Sequence, residues 1–266
     1  MTCVGFFPKK MPASPANALA PLVIVAATGM EMAAVFQGLG ITVPLPTRDE
    51  PRAMTHAGQR LVFALTGVGP VNAGIAGGRL VEGFSPKGML CLGIAGTYAP
   101  STVPLGSAVV ATREIWPEYG LATACGVDAK ALGFPQWGNK NDTSPLPVWN
   151  SIDIAAEASF AAMGLPCLPA AVPCNAGNPP VLSGASITVA GVTGTKERAR
   201  ELYETHAAVT ENMEGFALAL TAQMTALPFG EIRTVSNIVG ERSPDAWNIP
   251  AALAALGCVA RLLLQP

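Results

Sequence analysis

Three polar residues stand where an α/β chain can put them to chemical use. Glu31 closely follows the apolar run LVIVAA (22–27), Glu214 follows a short strand near AAVT, and Asn237 lies in the strand end VSNIV. Open α/β sheets bind ligands outside the carboxyl ends of their strands, so all three fall on the side where a crevice forms. A carboxylate there can act as a general base, and an amide offers an acceptor and two donor hydrogens. Each also has a plain structural reading. Glu31 and Glu214 fall in a first helical turn, where a carboxylate meets the positive end of the helix dipole. Asn237 could serve backbone groups at a strand end. In TENMEG (210–215) Glu211 stands beside Glu214 and reads as a solvated or supporting carboxylate near a helix start. The segment GIAGT (93–97), with Ile94, Ala95 and Gly96, could let a ligand approach the backbone or simply let a helix pack close. TGVGPVNAG (66–74) is a glycine-rich turn, but the dinucleotide fingerprint would need glycine at Asn72.

The elements that must position these residues show in the hydrophobic pattern. Short runs that are apolar on both faces recur at 22–27, 61–65, 88–96, 107–115, 187–192 and 231–239, as expected of strands buried in a flanked sheet. Helix-like stretches lie between them at 29–39, 70–83, 151–164, 196–206, 214–224 and 250–264. This alternation predicts a single α/β domain over 21–266 with a central, mixed, mainly parallel twisted sheet flanked by helices. Residues 1–20, broken by Pro12 and Pro15, read as a poorly ordered extension, and LVIVAA as the first core strand. The Pro-, Gly- and Asn-rich stretches 116–150 and 164–185 read as long connections, which are more often functional than neutral.

Composition narrows the function classes. A chain of 266 residues, 50% hydrophobic and 13% charged, buries a core without staples. A net charge of −2, with no basic cluster beyond Lys9 and Lys10, gives no footprint for nucleic acid or an anionic membrane. LVIVAA is too short to span a bilayer. Six cysteines without a C-x-x-C pair, and His56 and His206 far apart, offer no zinc or disulfide spacing, so the expectation is free thiols in the cytoplasm and no metal. The expected partner is a small molecule or another copy of the chain.

The succession ATGME, TGVGPVNA, GIAGT, ENMEG and TVSN resembles the purine nucleoside phosphorylase and nucleosidase superfamily across residues 22–264. Within it, ENMEG and SNIVGERSPDAWNIPAAL are most similar to the futalosine hydrolases of a menaquinone pathway. The resemblance implies a phosphorylase-type fold, a homodimer or higher homo-oligomer, no cofactor, and cleavage of futalosine to hypoxanthine and its dehypoxanthinyl product. The alternatives are a nucleosidase acting on methylthioadenosine, S-adenosylhomocysteine or aminofutalosine, and a purine nucleoside phosphorylase.

Roles follow by resemblance. Glu31 would activate water, Met213 would pack on the ribose, and Glu214 would accept from the ribose hydroxyls. Asn237 stands where adenine-releasing nucleosidases carry aspartate, and an amide suits a six-oxo purine better than an amino purine. Ile94, Ala95, Gly96 and Thr193 would line the ligand, with Thr193 or Thr195 alternatively capping a turn or helix. Arg242 and Trp247, together with Trp116, Glu118 and Tyr119, are candidates for the carboxylated aromatic arm of futalosine, or else form loops packed on themselves. The loop at Glu31 offers no arginine for phosphate, which favours water as the nucleophile.

Overall fold

The computed structural model describes residues 20–124, 126–143, 146–168 and 178–265. Apart from residue 20, the expected N-terminal extension lies outside the described residues. Most predicted elements appear at their expected places. Strand β1 (Leu22–Ala26) runs parallel to β3 (Gln59–Leu65) on one side and to β4 (Gly88–Thr97) on the other. Beyond β3 an antiparallel edge strand, β2 (Arg52–His56), ends this side of the sheet. Its sequence RAMTH alternates exposed and half-buried positions, so it carries no apolar run for the eye to find.

The other side of β4 closes on itself. β4 pairs in parallel with β11 (Phe229–Ile238), β11 antiparallel with β5 (Ala108–Ile115), and β5 in parallel with β9 (Val181–Thr188). The short strand β10 (Thr210–Asn212) then joins β9 in parallel and returns to β4 antiparallel. Closure brings the ends of β4, β10 and β11 together, since Glu211 and Asn237 are each in register with Gly96 from opposite sides.

Helices cover both faces, and side chains alternate along the strands to meet them. Leu22, Ile24, Leu90, Leu92 and Ile232 share one core with α1 (Gly29–Leu39), α3 (Ala156–Met163) and α6 (Ile249–Leu264). Val23, Val25, Met89 and Cys91 face the other way, toward α2 (Pro70–Phe84) and α5 (Gly215–Thr225). Helix α4 (Lys196–His206) packs Leu202 on a smaller cluster with Ile187 and Val189.

Three expectations change. The run at 187–192 is the end of β9 followed by a loop, because Val181–Thr188 already pairs with β5. The helix expected over 151–164 starts at Ala156, since Ser151–Asp153 form β8, an antiparallel partner of β5. Inside the long connection 116–150, a small hairpin forms from β6 (Leu121–Thr123) and β7 (Gly126–Asp128).

Candidate active site

Glu31 enters the site through its helix start. Thr28 is the N-cap of α1 and its hydroxyl oxygen accepts from the Glu31 N–H at 3.3 Å, while Glu31 Oε2 accepts from the Thr28 N–H at 2.8 Å and the Thr28 hydroxyl at 2.7 Å. This reciprocal capping box satisfies donors that a helix start leaves open. Glu31 Oε1 accepts from the Ile94 N–H of β4 at 2.9 Å. The structural reading of Glu31 as a capping residue holds, and the cap keeps a buried carboxylate at the carboxyl ends of β1 and β4.

Glu214 is held from three elements. It is the N-cap residue of α5, its Oε1 accepts from the Gly69 N–H at 3.0 Å, and its Oε2 pairs with Arg233 Nη1 at 3.2 Å. Gly69 has φ +97°, a conformation that favours glycine, so the TGVGP turn is what aims this N–H. Arg233 in turn donates Nε to Glu231 at 2.7 Å. Burial disfavours the guanidinium charge, but the acidic groups around it, Glu231, Glu214 and Glu31 among them, hold it firmly protonated. Gly93 makes the arrangement possible. A Cβ there would lie 2.6 Å from Arg233 Nη1 and 2.8 Å from Glu31 Oε1.

Asn237 sits at an irregularity in β11. Val235 pairs with Ala95 and Asn237 with Gly96, so Ser236 is an inserted residue, and such bulges re-aim side chains. The Ser236 hydroxyl donates to Asn237 Oδ1 at 2.8 Å and lies 3.1 Å from the Ala95 carbonyl, while Asn237 Nδ2 has only a long 3.4 Å contact to the Ile238 carbonyl. The amide is oriented, with donor capacity left over.

These groups share a cavity of about 240 Å³, whose wall includes Glu31, Ile94, Ala95, Gly96, Met213, Glu214, Asn237 and Trp247. Val68, Val192 and the exposed Met30 give it an apolar rim. Charged residues in the wall are Glu31, Glu211 and Glu214, with no cation among the described residues. A wider cleft of about 390 Å³ beside α3 and α5 is walled largely by Ala219, Ala222, Leu227 and Phe229, and its Asp153 is tied to Arg113. It gathers no comparable set of buried polar groups.

Other expectations are placed differently. Thr193 is buried, with its N–H 3.0 Å from Glu211 Oε1 and its hydroxyl 2.5 Å from Glu211 Oε2, and it is not part of the cavity wall. Thr195 caps α4. Glu211 is not solvated: it is 5% exposed, lines the cavity, and also accepts from the Tyr98 hydroxyl at 2.6 Å. Burial and the Glu211 charge push the Tyr98 phenol well above its usual range. Arg242 stacks over the Trp247 ring at 5.3 Å, outside the cavity wall. Trp116 packs on Tyr119 of its own loop and on Phe216 of α5, and Glu118 holds the Trp116 indole and the Ala190 N–H, so this loop is tied to itself, to α5 and to the segment after β9.

Sequence reasoning missed Arg233, Gly69 and Asn212. Asn212 Oδ1 accepts from the Glu214 and Gly215 N–H groups at 2.9 and 2.7 Å, which makes it the effective cap of α5. A signal for Arg233 was available, because Glu231 and Arg233 are two residues apart, on one face of a strand otherwise apolar at its start.

Comparison with known proteins fits this geometry. Residues 21–263 match the sequence profile of the Phosphorylase superfamily. The futalosine hydrolase of Streptomyces coelicolor is 36% identical over 197 residues, covering 71% of this chain and 72% of that protein. The futalosine hydrolase of Thermus thermophilus is 30% identical over 211 residues, covering 78% and 82%. The chain belongs to the futalosine hydrolase family of the phosphorylase superfamily. Among solved structures, the 5'-methylthioadenosine/S-adenosylhomocysteine nucleosidase of Helicobacter pylori with butyl-thio-DADMe-Immucillin-A has a TM-score of 0.69 over 92% of this chain and 96% of that one. At 16% identity that likeness concerns the fold alone.

Proposed function

We propose that this protein hydrolyses the N-glycosidic bond of futalosine, releasing hypoxanthine and dehypoxanthinyl futalosine in menaquinone biosynthesis. The observation that carries this reading is the oriented amide of Asn237 in the cavity wall. Its Nδ2 is available to the six-oxo group of the base, and Oδ1 keeps an acceptor position for a protonated ring nitrogen. Glu31 activates water with the acceptor capacity left on Oε1. Glu214 receives the ribose hydroxyls and Met213 packs on the sugar. Cleavage builds positive charge on the sugar ring, and an acidic wall stabilises it. The same wall disfavours phosphate as nucleophile, since phosphorolysis needs fixed cations.

The 36% identical relative supports the substrate. In this reading Arg242 on Trp247 receives the carboxylated arm just outside the cavity, and Thr193 shapes the base pocket through Glu211. The protein works in the cytoplasm as a homo-oligomer without a cofactor; the exposed Val71 and Ile75 on α2 suit an interface between copies. None of the described helices is long and apolar enough to cross a membrane. The test is incubation with futalosine, aminofutalosine, inosine and methylthioadenosine, with and without phosphate, identifying the released base. Hypoxanthine from futalosine without phosphate is expected. Adenine release at equal or greater efficiency, or a requirement for phosphate, would overturn the reading.

A further inference from the structure

Behind the sugar end of the cavity, four ionisable side chains from three elements meet away from water. Glu114 comes from β5, Glu231 and Arg233 from β11, and Glu214 from the start of α5; their exposures are 0%, 0%, 2% and 4%. Of the four, only Glu214 lines the cavity, so Glu114 and Glu231 have no part in the chemistry above. Arg233 already faces two carboxylates, Glu231 at 2.7 Å and Glu214 at 3.2 Å. An ionised Glu114 would add a third negative charge to one buried positive charge.

Gly215 shows how close the two inner acids come. A Cβ on Gly215 would overlap the Glu114 carboxyl and lie 2.6 Å from Glu231 Oε1. Glu231 Oε2 is buried and has no hydrogen-bond partner among the described residues. Two ionised carboxylates cannot satisfy each other, because each only accepts. A single proton between them supplies the missing donor and removes the third charge.

We propose that Glu114 and Glu231 hold one proton between them and together position Arg233, so that Glu214 keeps its charge for the sugar. The charges then balance locally: Glu231 neutralises Arg233, Glu114 is a neutral acid, and Glu214 is left over. Burial, followed by the neighbouring Glu231 charge, pushes the Glu114 carboxyl well above its usual range, in keeping with a proton held at this pair. Asn212 Nδ2 donates to Glu114 Oε1 at 2.8 Å and Thr188 lies 2.6 Å from Oε2, fixing the acid in place. The other groups that face the cluster are Glu31 on α1 and Cys91 on β4, and burial pushes the Cys91 thiol up so that it adds no charge. When the shared proton is lost as pH rises, repulsion between the two acids displaces Arg233 and Glu214, and activity falls.

The part of the proposal that concerns the sugar rests on the nucleosidase reading; the shared proton does not, and the experiment separates them. Infrared difference spectra of the wild-type protein without substrate are expected to show a protonated-carboxyl carbonyl band at neutral pH that disappears in Glu114→Gln. In kinetics with futalosine, Glu114→Ala is expected to lose about tenfold or more in kcat/KM, and Glu114→Gln to recover most of that while losing the decline with rising pH. Glu231→Gln is expected to raise KM by about tenfold, because Arg233 then draws on Glu214. Absence of the band in wild type, or Glu114→Gln behaving as poorly as Glu114→Ala, would overturn the proposal. A wild type that shows the band but releases no base from futalosine would instead overturn the functional reading.

Discussion

At the scale of single residues, the site divides its labour among side chains held by different backbones. Glu31 is fixed by Thr28 and Ile94, so replacing it with glutamine leaves the shape but takes away the proposed base. Glu31→Gln is expected to lower kcat by about 10²–10⁴ with little change in KM, the span of general-base effects. Steady-state rates of hypoxanthine release check this, and a variant retaining more than a tenth of wild-type kcat would remove Glu31 from the chemistry. In the proposed function Asn237 reads the base. Asn237→Asp should raise the ratio of adenine to hypoxanthine release from the paired nucleosides by about 10- to 100-fold, the worth of one or two hydrogen bonds to a buried polar group. An unchanged ratio would mean that the base is read elsewhere.

At the scale of elements, two helix contacts keep the cavity's Glu31 in place. Helices α1 and α6 cross at Gly38 and Gly257, where a Cβ on Gly38 would run into the Gly257 carbonyl. Gly38→Ala is expected to cost about 1–3 kcal/mol, as overpacking does, and to loosen the helix that presents Glu31. Denaturant unfolding measures the loss; a midpoint equal to wild type would show that the helices can part freely. The cap is the second contact. Thr28→Ala removes a hydroxyl that both caps α1 and bonds Glu31, so a stability loss of about 1 kcal/mol should come with a fall in turnover. Thr28→Ser, which keeps the hydroxyl, should restore both.

For the whole molecule, the buried acid makes stability depend on pH. Glu114 binds its proton more tightly in the folded chain than in the unfolded one, since burial and Glu231 raise its pKa above the ordinary carboxyl value of 4.5. The folded state therefore holds more protons between that value and the raised one, and stability falls as pH rises through the window. The stabilisation is fully present below the ordinary carboxyl pKa. Glu114→Gln has no proton to lose at this site, so its Tm should decline less steeply with pH than that of wild type. Parallel Tm profiles from acid to alkaline pH would contradict the assignment of the proton to Glu114.

What the sequence by itself determined was the local order of things. Alternating apolar runs and periodic stretches located most of the central strands and helices, because burial on both faces and helical amphipathicity leave a pattern within a few residues. Glu31, Asn237 and Glu214 were legible as site candidates because each directly follows or ends such a run. Strands β2, β6 and β7 were harder to see, being short or solvated and held mainly by their neighbours. The tertiary structure decided what long-range contacts decide. Closure of β10 onto β4 buried Glu211, which looked like a surface carboxylate, and brought it to Gly96 opposite Asn237. The meeting of β5, β11 and α5 turned Glu114, Glu231 and Arg233 into one cluster behind Glu214, though they stand far apart along the chain or read as ordinary strand charges. Charge and burial depend on what comes near in space, and no spacing along a single chain records that.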